Sequence, residues 1–232
     1  MKLLEENITL TVDENYIIET LSLNDKKILE LGCGAAAMTQ KIAASGFSRE
    51  IIACEVDEKQ HKKNLKLDIP NIKFLLCGAE NIKLKDDSID IIFMFKSFHH
   101  IPKDLMKKSL QEIKRVLKPN GLVYISEPLF LGKQNKLVSI FHNEEDVRVD
   151  AFNAIKEFVD NNELKLFKEF FFQTEVVYKN FEDFKKRQMH TSYNDNKITK
   201  EIEEEVKKKY EELSKDELSL LKPFRVDILQ KV

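Results

Sequence analysis

Short, wholly apolar runs alternate with charged amphipathic stretches through the first 128 residues. Ile28–Leu31, Glu50–Val56, Ile72–Cys77, Ser88–Phe95 and Leu122–Ser126 have the length and apolar character of strands buried on both faces. Ala35–Ala44, Asp57–Leu67 and Asp104–Leu117 read as the intervening helices, and a further helix covers Glu14–Leu21. In Asp104–Leu117 the residues Leu105, Leu110, Ile113, Val116 and Leu117 fall on one face, and Lys118-Pro119-Asn120-Gly121 predicts its stop. Strands alternating with helices predict an α/β fold with a parallel sheet, whose ligands sit outside the carboxyl ends of the strands.

The pattern changes after Pro128. Asn135–Asp160 reads as a long helix or a helix pair, Leu164–Tyr178 as a Phe-rich strand, and Phe181–Met189 and Ile198–Leu213 as helices. Pro223–Gln230 alternates and predicts a closing strand. Eleven of the 16 Phe lie in this half, so it is a folded part and no solvated tail. The expected division is residues 1–128 as a ligand-binding core. Residues 129–232 then complete the sheet and supply a helical lid, all within one structural domain.

Composition narrows the partners. A net charge of −2 lacks the basic balance of a non-specific nucleic-acid binder, so no nucleic acid is expected. No run is long and apolar enough to predict a membrane span, and Glu5 and Glu6 interrupt any export signal at the start. Cys33, Cys54 and Cys77 form no CxxC pair and are expected to be reduced, small buried residues of a cytoplasmic protein. No metal site is expected, and the chain suits a monomer or homodimer.

The chemistry concentrates at Lys26–Ala44, KKILELGCGAAAMTQKIAA. A strand runs into Gly32-Cys33-Gly34, and Ala35 opens a helix whose first N–H groups are free. Glu30 lies inside the strand, where a buried carboxylate needs a partner. It has the wrong sign for a phosphate and the right one for an ammonium. S-adenosylmethionine carries an α-ammonium and no phosphate. Glu55 ends the second strand and can accept both ribose hydroxyls, with Val56 on the adenine face.

Several ordered motifs then agree: ILELGCGAAA, CEVD, GAENIKLKDDSID, FHHI and RVLKPNG. Over residues 26–128 the chain resembles the class I S-adenosylmethionine-dependent methyltransferases, most closely the small-molecule group. The resemblance implies a Rossmann-like doubly wound seven-stranded sheet of order 3-2-1-4-5-7-6, strand seven antiparallel. It implies that Glu30 and the backbone of Gly32, Cys33, Gly34 and Ala35 hold the methionine end, and that Glu55 holds the ribose. Gly78, Ala79 and Glu80 would meet the adenine, and Phe95 and Lys96 would line the methyl side. The family often has an acid where Gly78 stands, and Glu80 is the expected substitute. Its third loop glycine appears as Ala36.

His99 and His100 follow strand four and are the candidate general bases, with His142 and His190 as weaker ones. Phe98, Glu144 and Arg148 are candidate acceptor contacts, although Glu144 and Arg148 can equally pair with each other at i, i+4. The Phe residues at 170–172, 181 and 184 either line an apolar pocket or belong to the core. The leading expectation is methyl transfer to a small apolar or aromatic acceptor at oxygen. Alternatives are a macromolecule (RNA or tRNA) methyltransferase, a non-catalytic cofactor-binding scaffold, and an NAD-dependent oxidoreductase, which Glu30 disfavours.

Overall fold

Alternation within the first strand divides the core into two faces. Leu29 and Leu31 enter one apolar cluster and Ile28 enters the other. The computed structural model describes residues 1–190, 198–214 and 219–232. After α1 (Glu14–Glu19) the chain alternates β1 (Lys27–Leu31), α2 (Ala37–Ala44), β2 (Glu50–Glu55), α3 (Glu58–Asn64) and β3 (Ile72–Leu76). Then come β4 (Ile89–Phe95), a 3₁₀ turn at Phe98–His100, α4 (Lys103–Val116) and β5 (Leu117–Pro128). The second half holds α5 (Gly132–Val138), α6 (Glu145–Asp160), β6 (Lys165–Val177), α7 (Phe181–Phe184), a π-helical turn at Lys185–Met189, α8 (Lys200–Leu213) and β7 (Ser219–Gln230).

The seven strands form one sheet of order β3-β2-β1-β4-β5-β7-β6, with β7 antiparallel to both neighbours, as expected. Strands β1–β5, paired in parallel, therefore end on the same edge, and the crevice that matters lies along that edge.

Some elements differ from expectation, and others settle an alternative left open. The segment 118–121 does not leave the sheet: Leu117 pairs with Ile89 and Asn120 N–H donates to Lys231 O, so β5 starts earlier. The 135–160 region is a helix pair, broken between Val138 and Glu145. Its second member, α6, is no lid. Ala151, Ile155 and Phe158 pack with Leu110 and Ile113 of α4 over one sheet face. Helices α5, α7 and α8 form a separate apolar cluster, joined by Leu137, Tyr178, Phe184, Met189, Val206 and Tyr210. The Phe residues in question are largely structural: Phe172 packs with Phe224 in the core and Phe184 lies within the α5–α8 cluster. Cys54 in β2 and Cys77 just past the end of β3, with Cα atoms 5.5 Å apart, are joined as a disulfide, which corrects the expectation of reduced thiols; Cys33 is free and buried. Among the described residues no helix is long and apolar enough to cross a membrane.

Candidate active site

The glycine bend does what the sequence pattern asks. Gly32 and Gly34 have φ of 71° and 53°, in the left-handed region that suits glycine. A Cβ on Gly32 would meet Ser97 Cβ at 2.7 Å, whereas one on Gly34 would point into open space. Ala36 takes the same region, φ 59°, at a cost of about 1 kcal/mol that the family glycine avoids. Gly32 and Ala35 are exposed at the rim, while Cys33 is buried and fixed by its N–H to Cys54 O at 2.9 Å. Helix α2 starts with no side-chain cap, so its first N–H groups have no side-chain acceptor.

Two acids face this bend. Glu55 Oε2 accepts from Gly34 N–H at 2.7 Å, and its Oε1 accepts from Val56 N–H at 2.8 Å and Asp57 N–H at 2.9 Å. It thereby clamps the tip of β2 to the bend. Val56 beside it is 65% exposed, a bare apolar side chain at a strand tip. Glu30 is buried beneath α2, where the Thr39 hydroxyl donates to it. Burial pushes its carboxyl up to about 7, against the pull of Thr39 and of the Lys96 ammonium.

The turn after β3 brings a carboxylate over Gly78. Gly78 leaves room that the Glu80 side chain fills: a Cβ on residue 78 would lie 2.2 Å from Glu80 Oε2. The Glu80 carboxylate, two residues later, occupies the space that a side chain at position 78 would take. Ala79 is buried in the core.

Past the tip of β4 the surroundings become ionic. Phe95 is buried against Phe93 and Tyr124. Lys96 has φ 55° and places its Nζ 5.6 Å from the centre of the Phe224 ring. Phe98, expected to touch the acceptor, is wholly buried in the core cluster with Met106 and Leu110. The turn that buries Phe98 also buries His99. Glu127, at the tip of β5, accepts from Phe98 N–H at 2.9 Å and pairs with His99 Nδ1. His99 Nε2 faces Glu144 Oε1 at 3.6 Å.

Burial disfavours a charged His99, but Glu127 and Glu144 override it and raise its pKa to about 9. An imidazolium has no lone pair for a proton, so this environment does not fit the base role expected of His99. His100, exposed and 4.0 Å from the His99 ring, is shifted the other way, lowered by desolvation and by the His99 charge. It is the imidazole with a free lone pair at neutral pH.

Glu144 and Arg148 pair at 2.5 Å, as i, i+4 spacing allowed. Burial works against the Glu144 charge, yet His99 and Arg148 hold its carboxyl well below the usual range. Arg148 also donates to Leu129 O at 3.1 Å and Asn135 Oδ1 at 2.9 Å, and His142 Nε2 lies 2.8 Å from Glu144. Ligating atoms of His99, His100 and Glu144 lie within 4.8 Å of one another, a spacing that could hold a metal ion. The charges already balance: Glu127 and Glu144 are matched by His99 and Arg148.

A cavity of about 310 Å³ opens beside this network, walled by His100, His142, Glu144, Arg148, Lys222 and Phe141 among others. Sequence reasoning missed Glu127, Thr39 and Lys222. Glu127 had the same signal as Glu55, an acid closing an apolar strand. His190, also expected as a candidate, is exposed at the end of the π-helical turn and does not line this cavity.

Residues 29–125 match the methyltransferase domain family. The matched stretch is 97 of the 232 residues, so the likeness to methyltransferase domains covers less than half of the chain. It is 34% identical to an uncharacterized methyltransferase-like protein of Schizosaccharomyces pombe, over 49% of this chain and 41% of that one. The chain thus spans less than half the length of that relative. Its fold is that of the YcgJ protein from Bacillus subtilis (TM-score 0.64, 16% identity, 93% of this chain and 96% of that one). It is also that of a SAM-dependent methyltransferase from Aquifex aeolicus (TM-score 0.59, 18% identity, 95% and 90%).

The residues along this edge fit S-adenosylmethionine, the cofactor that the sequence resemblance implies. The open space over Gly34, the buried acid at Glu30, the β2-tip carboxylate at Glu55 and the bare Val56 form a cradle along one edge. These features match a backbone approach, an ammonium, a ribose and a base in turn.

Proposed function

We propose that this chain transfers the methyl group of S-adenosylmethionine to a small molecule seated in the cavity beside His100. The observation that carries this reading is the adjacency of the two halves. The glycine cradle and the cavity lie along one sheet edge, with the β4 turn between them. The cofactor supplies an electrophilic methyl on a sulfonium. Glu30 would hold its ammonium, Glu55 its ribose, and Glu80 its adenine edge. Lys96, Phe95 and the buried turn exclude water from the methyl side. His100, unprotonated at neutral pH, takes the proton of an acceptor hydroxyl, which favours oxygen as the methylated atom. His99 is the positioning residue that sets the turn. A cavity of about 310 Å³ has the size of a small acceptor, which favours one over RNA, tRNA or another macromolecule.

Isothermal titration with S-adenosylhomocysteine and with NAD tests the cofactor half. Binding of the first and not of the second is expected. A homocysteine-release screen of acceptors tests the other half. His100→Ala should then lower kcat about 100-fold with the acceptor KM nearly unchanged. Unaltered turnover would remove His100 from the role, and cofactor binding with no turnover of any acceptor would favour a scaffold.

A further inference from the structure

The cavity wall is charged where an apolar acceptor was expected. Arg148, Arg187 and Lys222 line it, and Glu144 is its single carboxylate among the described residues. Glu144 is committed to Arg148. Arg187 contacts Asp183 at 3.2 Å and stacks on Tyr178. Lys222 is different. Among the described residues no carboxylate lies within ion-pair distance of it, and its Nζ sits 5.4 Å from the centre of the Phe224 ring. Lys96 reaches the same ring at 5.6 Å, so two ammonium groups crowd one aromatic side chain. Burial, then Lys96 and Arg148, push the Lys222 ammonium down to about 8. A ring contact does not replace the water that such a cation gives up. Arg148 Nε is likewise buried with no acceptor.

We propose that the cavity takes a methyl acceptor bearing a carboxylate, held by the Lys222 ammonium and the Arg148 Nε–H. This deepens the methyl-transfer reading above and rests on it for the identity of the ligand as acceptor. A carboxylate fits better than a phosphate for two reasons. Arg148 Nη1 is taken by Leu129 O and Asn135 and one Nη2–H by Glu144, so two of its five donors, Nε–H and the second Nη2–H, remain, a pair that matches the two oxygens of a carboxylate and falls short of a phosphate's three. Glu144 in the same wall also repels a dianion more than a monoanion. The acceptor class is therefore a small acid that also carries a hydroxyl, with the acid group anchored at Lys222 and the hydroxyl turned to His100.

The test is calorimetry on the full chain, free and saturated with S-adenosylhomocysteine. The probes are benzoate against benzamide, acetate against acetamide, and phenyl phosphate. At least one carboxylate should bind about tenfold or more tightly than its amide. Lys222→Met should erase that preference, Lys222→Arg should keep most of it, and both should bind S-adenosylhomocysteine within about twofold of wild type. Carboxylates that bind no better than amides, or a preference that survives Lys222→Met, would overturn the proposal. Tighter binding of phenyl phosphate than of benzoate would overturn the choice of carboxylate. Failure to bind S-adenosylhomocysteine would sink the methyl-transfer reading alone, since the free protein still reports on the anion site.

Discussion

Two desolvated acids, buried Glu30 and half-buried Glu144, lie at opposite ends of the same strand-tip crevice and are driven in opposite directions. At the cofactor end Glu30 is desolvated with a hydroxyl as its nearest partner, and its pKa rises to about 7. At the acceptor end Glu144 is also desolvated, yet two cations hold it far below the usual range. Burial alone does not decide the state of a carboxylate; the partners do. The cofactor end is built from backbone and a few acids, and it is one positive charge short. The acceptor end is a closed ionic network with a surplus cation beside it. The first geometry suits a cationic ligand and the second an anionic one.

The sharpest way to break this contrast is to open the closed network. Glu127→Gln leaves the His99 imidazolium buried with a weaker partner. Stability at neutral pH should fall by about 3 kcal/mol, measured by urea unfolding. The sign with pH is defined. A raised folded-state pKa makes His99 stabilising below its unfolded value near 6.5, and that contribution disappears as pH rises through about 9. Wild type should lose the advantage over Glu127→Gln across that window. A difference of less than about 1 kcal/mol, or one independent of pH, would mean that the pair is not charged.

Next in size is Glu55→Ala at the other end. The affinity for S-adenosylhomocysteine should fall about 100-fold, close to 3 kcal/mol. Stability should fall less, by about 1–2 kcal/mol, because three backbone N–H groups lose their acceptor at a solvent-accessible rim. A variant that is destabilised but binds normally would show that Glu55 serves only to clamp the bend.

The two ends also differ in how far they could be read from the chain. Glu30, Gly32, Gly34 and Glu55 fall within 26 consecutive residues, and their spacing is dictated by one strand, one turn and the next strand. Local geometry fixes such a site, so the pattern is visible in one dimension. The His99 network draws on the β4 turn, the tip of β5 and the start of α6, and Lys222 reaches the cavity from β7. Its charges are set by contacts between residues 28 and 45 positions apart, which periodicity does not report. The same limit explains Glu80, whose carboxylate folds back over Gly78, and Phe98, whose burial follows from the turn that Glu127 holds.

The smallest expected effect bears on the charge deficit at Glu30. Below about pH 7 burial keeps the carboxyl protonated, and a neutral acid offers an ammonium little. Above that value the carboxylate is present but costly, and an ammonium alongside would relieve the cost. Binding of S-adenosylhomocysteine near pH 7 should therefore release a fraction of a proton, seen as a dependence of the calorimetric heat on buffer ionisation enthalpy. Affinity should rise about tenfold from roughly pH 6 to pH 8 and stay flat in Glu30→Gln. Lys96 shares this pocket and also pulls the Glu30 pKa down, so Lys96→Met should shift the midpoint of the rise upward without abolishing it. A flat profile in the wild type would mean that Lys96, and not the ligand, is the cation that Glu30 serves.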